Sequence, residues 1–351
     1  METAVDGVTP VVAVAWDNHQ GRTQALATAL GGRAWFLRSG RSQKALLPLD
    51  YLIDAVRMWR LLRRHRPGVL IVVTPPVVAP LVASCWCLTH ECRLVVDCHT
   101  GAFHSWKWRW SGWLLRPVCR QAAVALVHTQ SDQELVEAWG ARALLLPDDL
   151  PHAEDASPLH GVRGPRVVVG GSLDGNEPVS AVIEAARLIP EVEVRLTGDE
   201  HRVPLSVRRA KPPNVIFTGW LDYATFLGEL LAANVVAVFS TDPYIMNRAA
   251  FEAVGLERPL VLSDLPGLRA RFGPAALFSS NDPRAMADGM LDALAHQDEL
   301  AARSKELQAL LRAQHQQALT RLMTMVQLTF EGSSPGVGTP PALTQVAGLD
   351  D

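Results

Sequence analysis

Short apolar runs alternate with longer helical patterns along the whole 351-residue chain, and this alternation predicts an α/β protein of two doubly wound, parallel-sheet domains. Two further observations support that fold class. The length exceeds what one hydrophobic core usually serves, and a proline-rich, aperiodic stretch from Pro147 to Pro165 divides the chain near its middle. A composition of 48% apolar and 20% charged residues is that of an ordinary globular protein.

In the first half, strands are expected at Val11–Trp16, Val69–Val73, Arg93–Asp97, Ala123–His128 and Ala143–Leu146. Each is a continuous Val/Leu/Ile-type run, as strands buried on both faces require. Helices are expected at Thr23–Leu30 (stopped by Gly31-Gly32), Leu49–His65 (stopped by Pro67-Gly68), Val77–Leu88 and Ser131–Trp139. Val69 to Leu88 carries no charge over twenty residues. It contains Pro75, Pro76 and Pro80, so a strand, turn and helix are expected there rather than a bilayer span.

The second half repeats the alternation. Its strands are expected at Arg166–Gly170, Val192–Thr197, Asn214–Phe217, Val235–Ser240, Leu260–Ser263 and Ala275–Phe278, with helices near Pro178–Leu188, Tyr223–Ala232, Ala249–Glu257 and Pro283–His296. The domains are thus placed at 1–150 and 166–298, with a linker at 151–165. A polar, amphipathic helical region follows over 299–330, and residues 331–351 are too rich in Gly, Ser and Pro to bury a core. Two doubly wound halves put a cleft at the facing carboxyl edges of their sheets, where a ligand would bind.

Charge is unevenly shared. Residues 1–130 hold 15 Lys/Arg against 7 Asp/Glu (+8), and residues 131–351 hold 18 against 29 (-11). A basic first half suits an anionic partner such as a phospholipid surface or a phosphorylated acceptor, or is solvated surface. The five cysteines, Cys85, Cys87, Cys92, Cys98 and Cys119, favour neither a disulfide framework nor a zinc site and suit a reducing compartment. The start, Met1 to Asp6, lacks the basic and apolar regions of a signal peptide, so a cytoplasmic location is expected.

The most specific stretch runs from Asn214 to Phe278. It passes from Asn214-Val-Ile-Phe-Thr-Gly219 through a helix, a strand and an acidic-aromatic loop to Phe251-Glu-Ala-Val-Gly-Leu-Glu-Arg-Pro259. This order resembles the donor-binding half of GT-B glycosyltransferases, and the Glu-Ala-x-Gly-x-x-Pro pattern from Glu252 to Pro259 resembles glycosyltransferase family 4. Bacterial polysaccharide enzymes share the likeness, which covers roughly residues 10–330. It implies a GT-B fold of two Rossmann-like domains, a nucleotide-diphospho-sugar donor, and a glycan or lipid-linked acceptor in polysaccharide or glycoconjugate synthesis. It also implies that the terminal helix packs back on the first domain, that Glu252 holds the ribose hydroxyls, and that no cofactor is used. The family's second Glu, eight positions before the first, is replaced by Tyr244, leaving the sugar and the stereochemical outcome open.

Other candidates surround this motif. Arg248 and the turn Gly170-Gly171-Ser172 are expected at the diphosphate, since glycine lets backbone N–H groups approach phosphate and arginine adds a charge-assisted fork. Tyr244, Asn247 and Gly219 complete the expected donor side. Asn176-Glu177-Pro178 resembles the Asp-Glu motif of chitobiosyl-diphosphodolichol mannosyltransferases; Glu177 is equally well explained as a first-turn helix acid. In the first half, His99 after a strand end is a candidate to relay a proton, with Asp97 to orient it or serve as base. His19, Gly21, Arg22 and Thr100 are expected on the acceptor side. No Asp-x-Asp motif occurs, so no metal is expected.

Trp106, Trp108, Trp110 and Trp113 alternate with Lys107, Arg109 and Arg116. Such a segment suits peripheral contact with an anionic membrane at its inner face, or alternatively a Trp-rich core helix. No nucleic-acid-binding motif accompanies it. Two rival functions remain: a sugar-nucleotide epimerase or hydrolase, and a non-catalytic nucleotide-sugar-binding subunit.

Overall fold

The computed structural model describes residues 10–17, 20–38, 47–159 and 164–327. The expectations for residues 1–9, for His19 and for the tail after 330 lie outside these residues. The first domain runs β1 (Val11–Ala15), α1 (Gly21–Ala29), β2 (Arg33–Phe36), α2 (Leu47–His65), β3 (Val69–Thr74), α3 (Val78–Thr89) and β4 (Arg93–Cys98). It continues through α4 (Thr100–His104), α5 (Gly112–Gln121), β5 (Val124–Val127), α6 (Gln130–Ala138) and β6 (Ala143–Leu145). Its six strands are all parallel, in the order β2-β1-β3-β4-β5-β6.

The second domain runs β7 (Arg166–Val169), α7 (Val179–Leu188), β8 (Glu193–Thr197), α8 (Leu205–Arg209), β9 (Val215–Gly219), α9 (Tyr223–Leu231) and β10 (Val235–Val238). Then follow α10 (Arg248–Gly255), β11 (Leu260–Ser263), α11 (Pro266–Phe272), β12 (Ala276–Ser279), α12 (Pro283–Ala295) and α13 (Gln297–Met325). Its parallel sheet has the order β12-β11-β10-β7-β8-β9. The two sheets reverse direction at β1/β3 and at β7/β10, and at such switch points loops part to leave a crevice. The fold is therefore GT-B.

Every expected strand is present. One strand that the sequence did not suggest, β2, reads Arg-Ala-Trp-Phe, too short for a continuous apolar run, and pairs only with β1 at the sheet edge. Val69–Leu88 divides into β3 and α3, and no helix among the described residues is long and apolar enough to cross a membrane. Helix α13 leaves the second domain and buries Ala318, Leu319 and Leu322 in the same cluster as Val11, Ala13, Ile71 and Val95. Burying one such leucine is worth about 1.5–3 kcal/mol, so this helix fastens the lobes to each other.

Candidate active site

At the β7/β10 switch point lies a cavity of about 560 Å³. Its wall is built from the loops after β7, β9 and β10 together with the first turn of α10. Gly170, Gly171, Ser172, Asn247, Arg248 and Glu252 all line it. Glu252 is 4% exposed, a costly place for a carboxylate. Arg248, one helical turn earlier, compensates by donating from Nε to Oε1 at 2.8 Å. Burial pushes the Glu252 carboxyl above its ordinary range, and Arg248 opposes that shift. Among the residues lining the cavity Arg248 is the single cation. It also lies over the Tyr223 ring, 5.8 Å from its centroid.

The Gly170 turn differs from the expectation. Its backbone donors are already used: Gly171 N bonds Thr197 Oγ1 at 3.0 Å, and Ser172 N and Leu173 N bond the two Glu177 carboxylate oxygens at 3.0 and 2.9 Å. A Cβ on Gly171 would sit 2.2 Å from Glu177 Oε2, so glycine is required for this approach. The turn is an anion nest, and its anion is Glu177. Asn247 Oδ1 is buried without a partner among the described residues, so an acceptor is available to a ligand donor.

Two donor-side candidates sit elsewhere. Gly219 does not line the cavity; its φ of +73° turns the chain so that Trp220 does. Tyr244 does not line it either. It stacks on His104 of the first domain, with ring centroids 4.6 Å apart and planes 2° from parallel. There it borders a second pocket of about 380 Å³, which shares Met246 with the first.

In the first domain Asp97 has no exposed surface. Arg22 grips it from Nε at 3.0 Å and from Nη2 at 3.3 Å. Burial alone would raise the Asp97 carboxyl; the charged Arg22 guanidinium against it holds it below the ordinary range. A carboxylate so bonded is a poor base, and Arg22 is its buried ion-pair partner. His99 lies 3.7 Å from Asp97 and His128 3.8 Å. Burial lowers both imidazoles, His128 to about 3, so both are neutral. The trio Asp97, His99 and His128 could meet around a cation, but Arg22 already neutralises its one anion. Gly21 opens α1, and Thr100 lines the second pocket, donating to Asp132 Oδ2 at 3.3 Å.

A chain of charges crosses between the lobes. Arg22 Nη1 bonds Asp148 Oδ1 at 2.5 Å, and Asp148 Oδ2 lies 4.0 Å from Arg248 Nη1. Asp148 was not expected because it falls in the aperiodic stretch after Pro147; neither was Trp220, nor the pair His104 and Asp132, which are 28 residues apart in sequence.

Residues 164–296 match the family described as glycosyl transferases group 1. Among solved structures, the chain is similar to sucrose-phosphate synthase from Thermosynechococcus elongatus (13% identity, TM-score 0.72, 91% of this chain and 98% of that one). It is also similar to Anabaena HepE in complex with UDP-glucose (15%, TM-score 0.67, 90% and 100%). A Listeria monocytogenes protein described as a UDP-N-acetylglucosamine 2-epimerase shares the architecture (12%, TM-score 0.65, 92% and 96%). No curated protein matches the chain in sequence.

Proposed function

We propose that the protein transfers a hexose from a nucleotide-diphospho-sugar to a glycan or lipid-linked acceptor in polysaccharide or glycoconjugate synthesis. The observation that carries this is the cavity at the β7/β10 switch point, where Glu252, Arg248 and Asn247 converge. Glu252 accepts from the vicinal ribose hydroxyls and Arg248 balances the charge that grows on the departing diphosphate. Trp220 and Tyr223 offer flat faces to the base. HepE was solved with UDP-glucose, which supports a donor of this class.

A thermal-shift panel of UDP- and GDP-sugars tests the donor: a true donor raises Tm by mass action. Glu252→Gln should weaken the binding of that donor about 10-fold or more, as loss of a charged hydrogen-bond partner does. An unchanged Kd removes Glu252 from the site. Product analysis without acceptor separates transfer from epimerisation, and binding without turnover would mark a non-catalytic subunit.

The acceptor side of this proposal includes contact with an anionic membrane. Trp106, Trp110 and Trp113 are 76%, 58% and 69% exposed, which disfavours the core-helix alternative. Lys107, Arg109 and Arg116 are exposed beside them, with Lys107 Nζ 5.9 Å from the Trp106 ring centre. Rings of this kind sit at headgroup depth while the cations meet phosphates. Co-sedimentation with phosphatidylglycerol vesicles should be strong at low salt and should fall at least about 10-fold in a Trp106→Ala/Trp110→Ala/Trp113→Ala variant. Equal sedimentation of both proteins sinks the membrane contact.

A further inference from the structure

We propose that His104 and Asp132 form the base that takes the proton from the acceptor hydroxyl, in the pocket beside the donor cavity. This inference rests on the glycosyl-transfer function above and adds an acceptor subsite to it.

His104 Nε2 lies 2.8 Å from Asp132 Oδ1, and Asp132 is fully buried. A carboxylate oxygen can only accept, so Nε2 carries the proton and Nδ1 holds the free lone pair. Nδ1 has no hydrogen-bond partner among the described residues. Asp132 is itself fixed, because its backbone N–H bonds the Thr129 hydroxyl at 3.1 Å and its Oδ2 accepts from Thr100. A base held by a second group that is held in turn by a third is the arrangement that sets a tautomer and an orientation for proton transfer. His104 lines the 380 Å³ pocket together with Thr100, His128, Tyr244, Met246 and Arg271.

Neither His99 nor Asp97 offers the same chemistry. The nearest carboxylate oxygen to His99 Nε2 is 3.7 Å away, and that carboxylate is committed to Arg22. The aromatic Tyr244, where family 4 places an acid, gains a physical role: its ring covers one face of the His104 imidazole from the opposite lobe. It holds the base against the cleft and narrows the pocket around an acceptor.

In the step, an acceptor oxygen forms a bond to the anomeric carbon as the bond from that carbon to the diphosphate oxygen breaks. The nucleoside diphosphate leaves with the electron pair, and the hydroxyl proton passes to His104 Nδ1. Water can stand in for the acceptor, giving slow hydrolysis by the same route.

The test uses the full chain and UDP-glucose, or the panel member that raises Tm most. Nucleoside diphosphate release is measured in water alone and with sodium azide, an anion with no proton to lose. In His104→Gln, which keeps a polar partner for Asp132, release in water should fall about 10²–10⁴-fold, the worth of a positioned base. Azide should restore release and give the glycosyl azide, while the Kd for UDP stays within about twofold of wild type. Asp132→Asn should show a smaller loss with the same azide response. Release in water at the wild-type rate by His104→Gln, or a loss that azide does not relieve, overturns the proposal. A wild-type protein that binds no nucleotide sugar would overturn the parent function instead.

Discussion

Replacing Arg248 with alanine is expected to lower kcat with the preferred nucleotide sugar by about 10²–10³-fold, the cost of removing one preorganised group from a developing charge. Cations are scarce in the cavity: only Arg248 among the lining residues carries positive charge, and the backbone donors of Ser172 and Leu173 already serve Glu177. Coulomb attraction rises as the bond to the leaving oxygen breaks, so the loss should appear in kcat more than in KM. Burial pulls the Arg248 guanidinium down, but Glu252 and Asp148 outweigh it and hold the side chain above its ordinary value, so it stays charged at any working pH. Arg248→Lys should fall between wild type and alanine, because an ammonium keeps the charge and loses the planar fork. Alanine also leaves Glu252 buried without its partner, which drives that carboxyl further toward the neutral form. A double-mutant cycle with Glu252→Gln separates the two effects: strong non-additivity is expected for side chains 2.8 Å apart. A kcat within about threefold of wild type in the alanine variant would show that the diphosphate is stabilised elsewhere.

The fold and the place of Glu252 at the cavity are legible for the same reason: both are written in local pattern. Val11–Ala15 and Val235–Val238 read as buried strands because every residue is apolar. Glu252 stands out because a helix start precedes it and a glycine and a proline follow it at fixed spacing. What sequence could not show is pairing across long separations. Asp97 looked free to act as a base, yet Arg22, 75 residues earlier, lies against it in space. His104 lies two residues before the tryptophan-rich segment, and its partner is 28 residues later in a helix first turn. The Gly170 turn was read as open to phosphate because glycine spacing reports backbone approach, whereas the side chain that occupies the nest, Glu177, depends on a loop conformation with Leu173 at φ +61°. Tyr244 falls by its spacing from Glu252 where the family has a carboxylate; its aromatic ring reaches the other lobe.

Arg22→Met is expected to destabilise the protein by about 3–5 kcal/mol, the largest loss of stability any single change to this cluster should cause. The variant keeps most of the side-chain volume and removes the guanidinium that bonds Asp97, Asp148 and the Leu146 carbonyl together. Asp97 is then a fully buried carboxylate facing two neutral imidazoles. The sign of the pH dependence follows from the same geometry. In the wild type the folded Asp97 carboxyl lies below its unfolded value of about 3.9, so its contribution is complete above that pH and is lost only as acid titrates the folded form. In the variant, burial acts without Arg22 and lifts the carboxyl above the unfolded value. Stability should then rise as pH is lowered from 7 toward 5, relative to wild type. Adding Asp97→Asn removes the orphaned charge and should recover part of the loss and abolish the inverted pH response. Urea midpoints at pH 7 and pH 5 for the three proteins decide the matter. An Arg22→Met midpoint equal to wild type, or an Asp97→Asn addition that deepens the loss, would show that the ion pair between β4 and α1 does not hold the floor of the cleft.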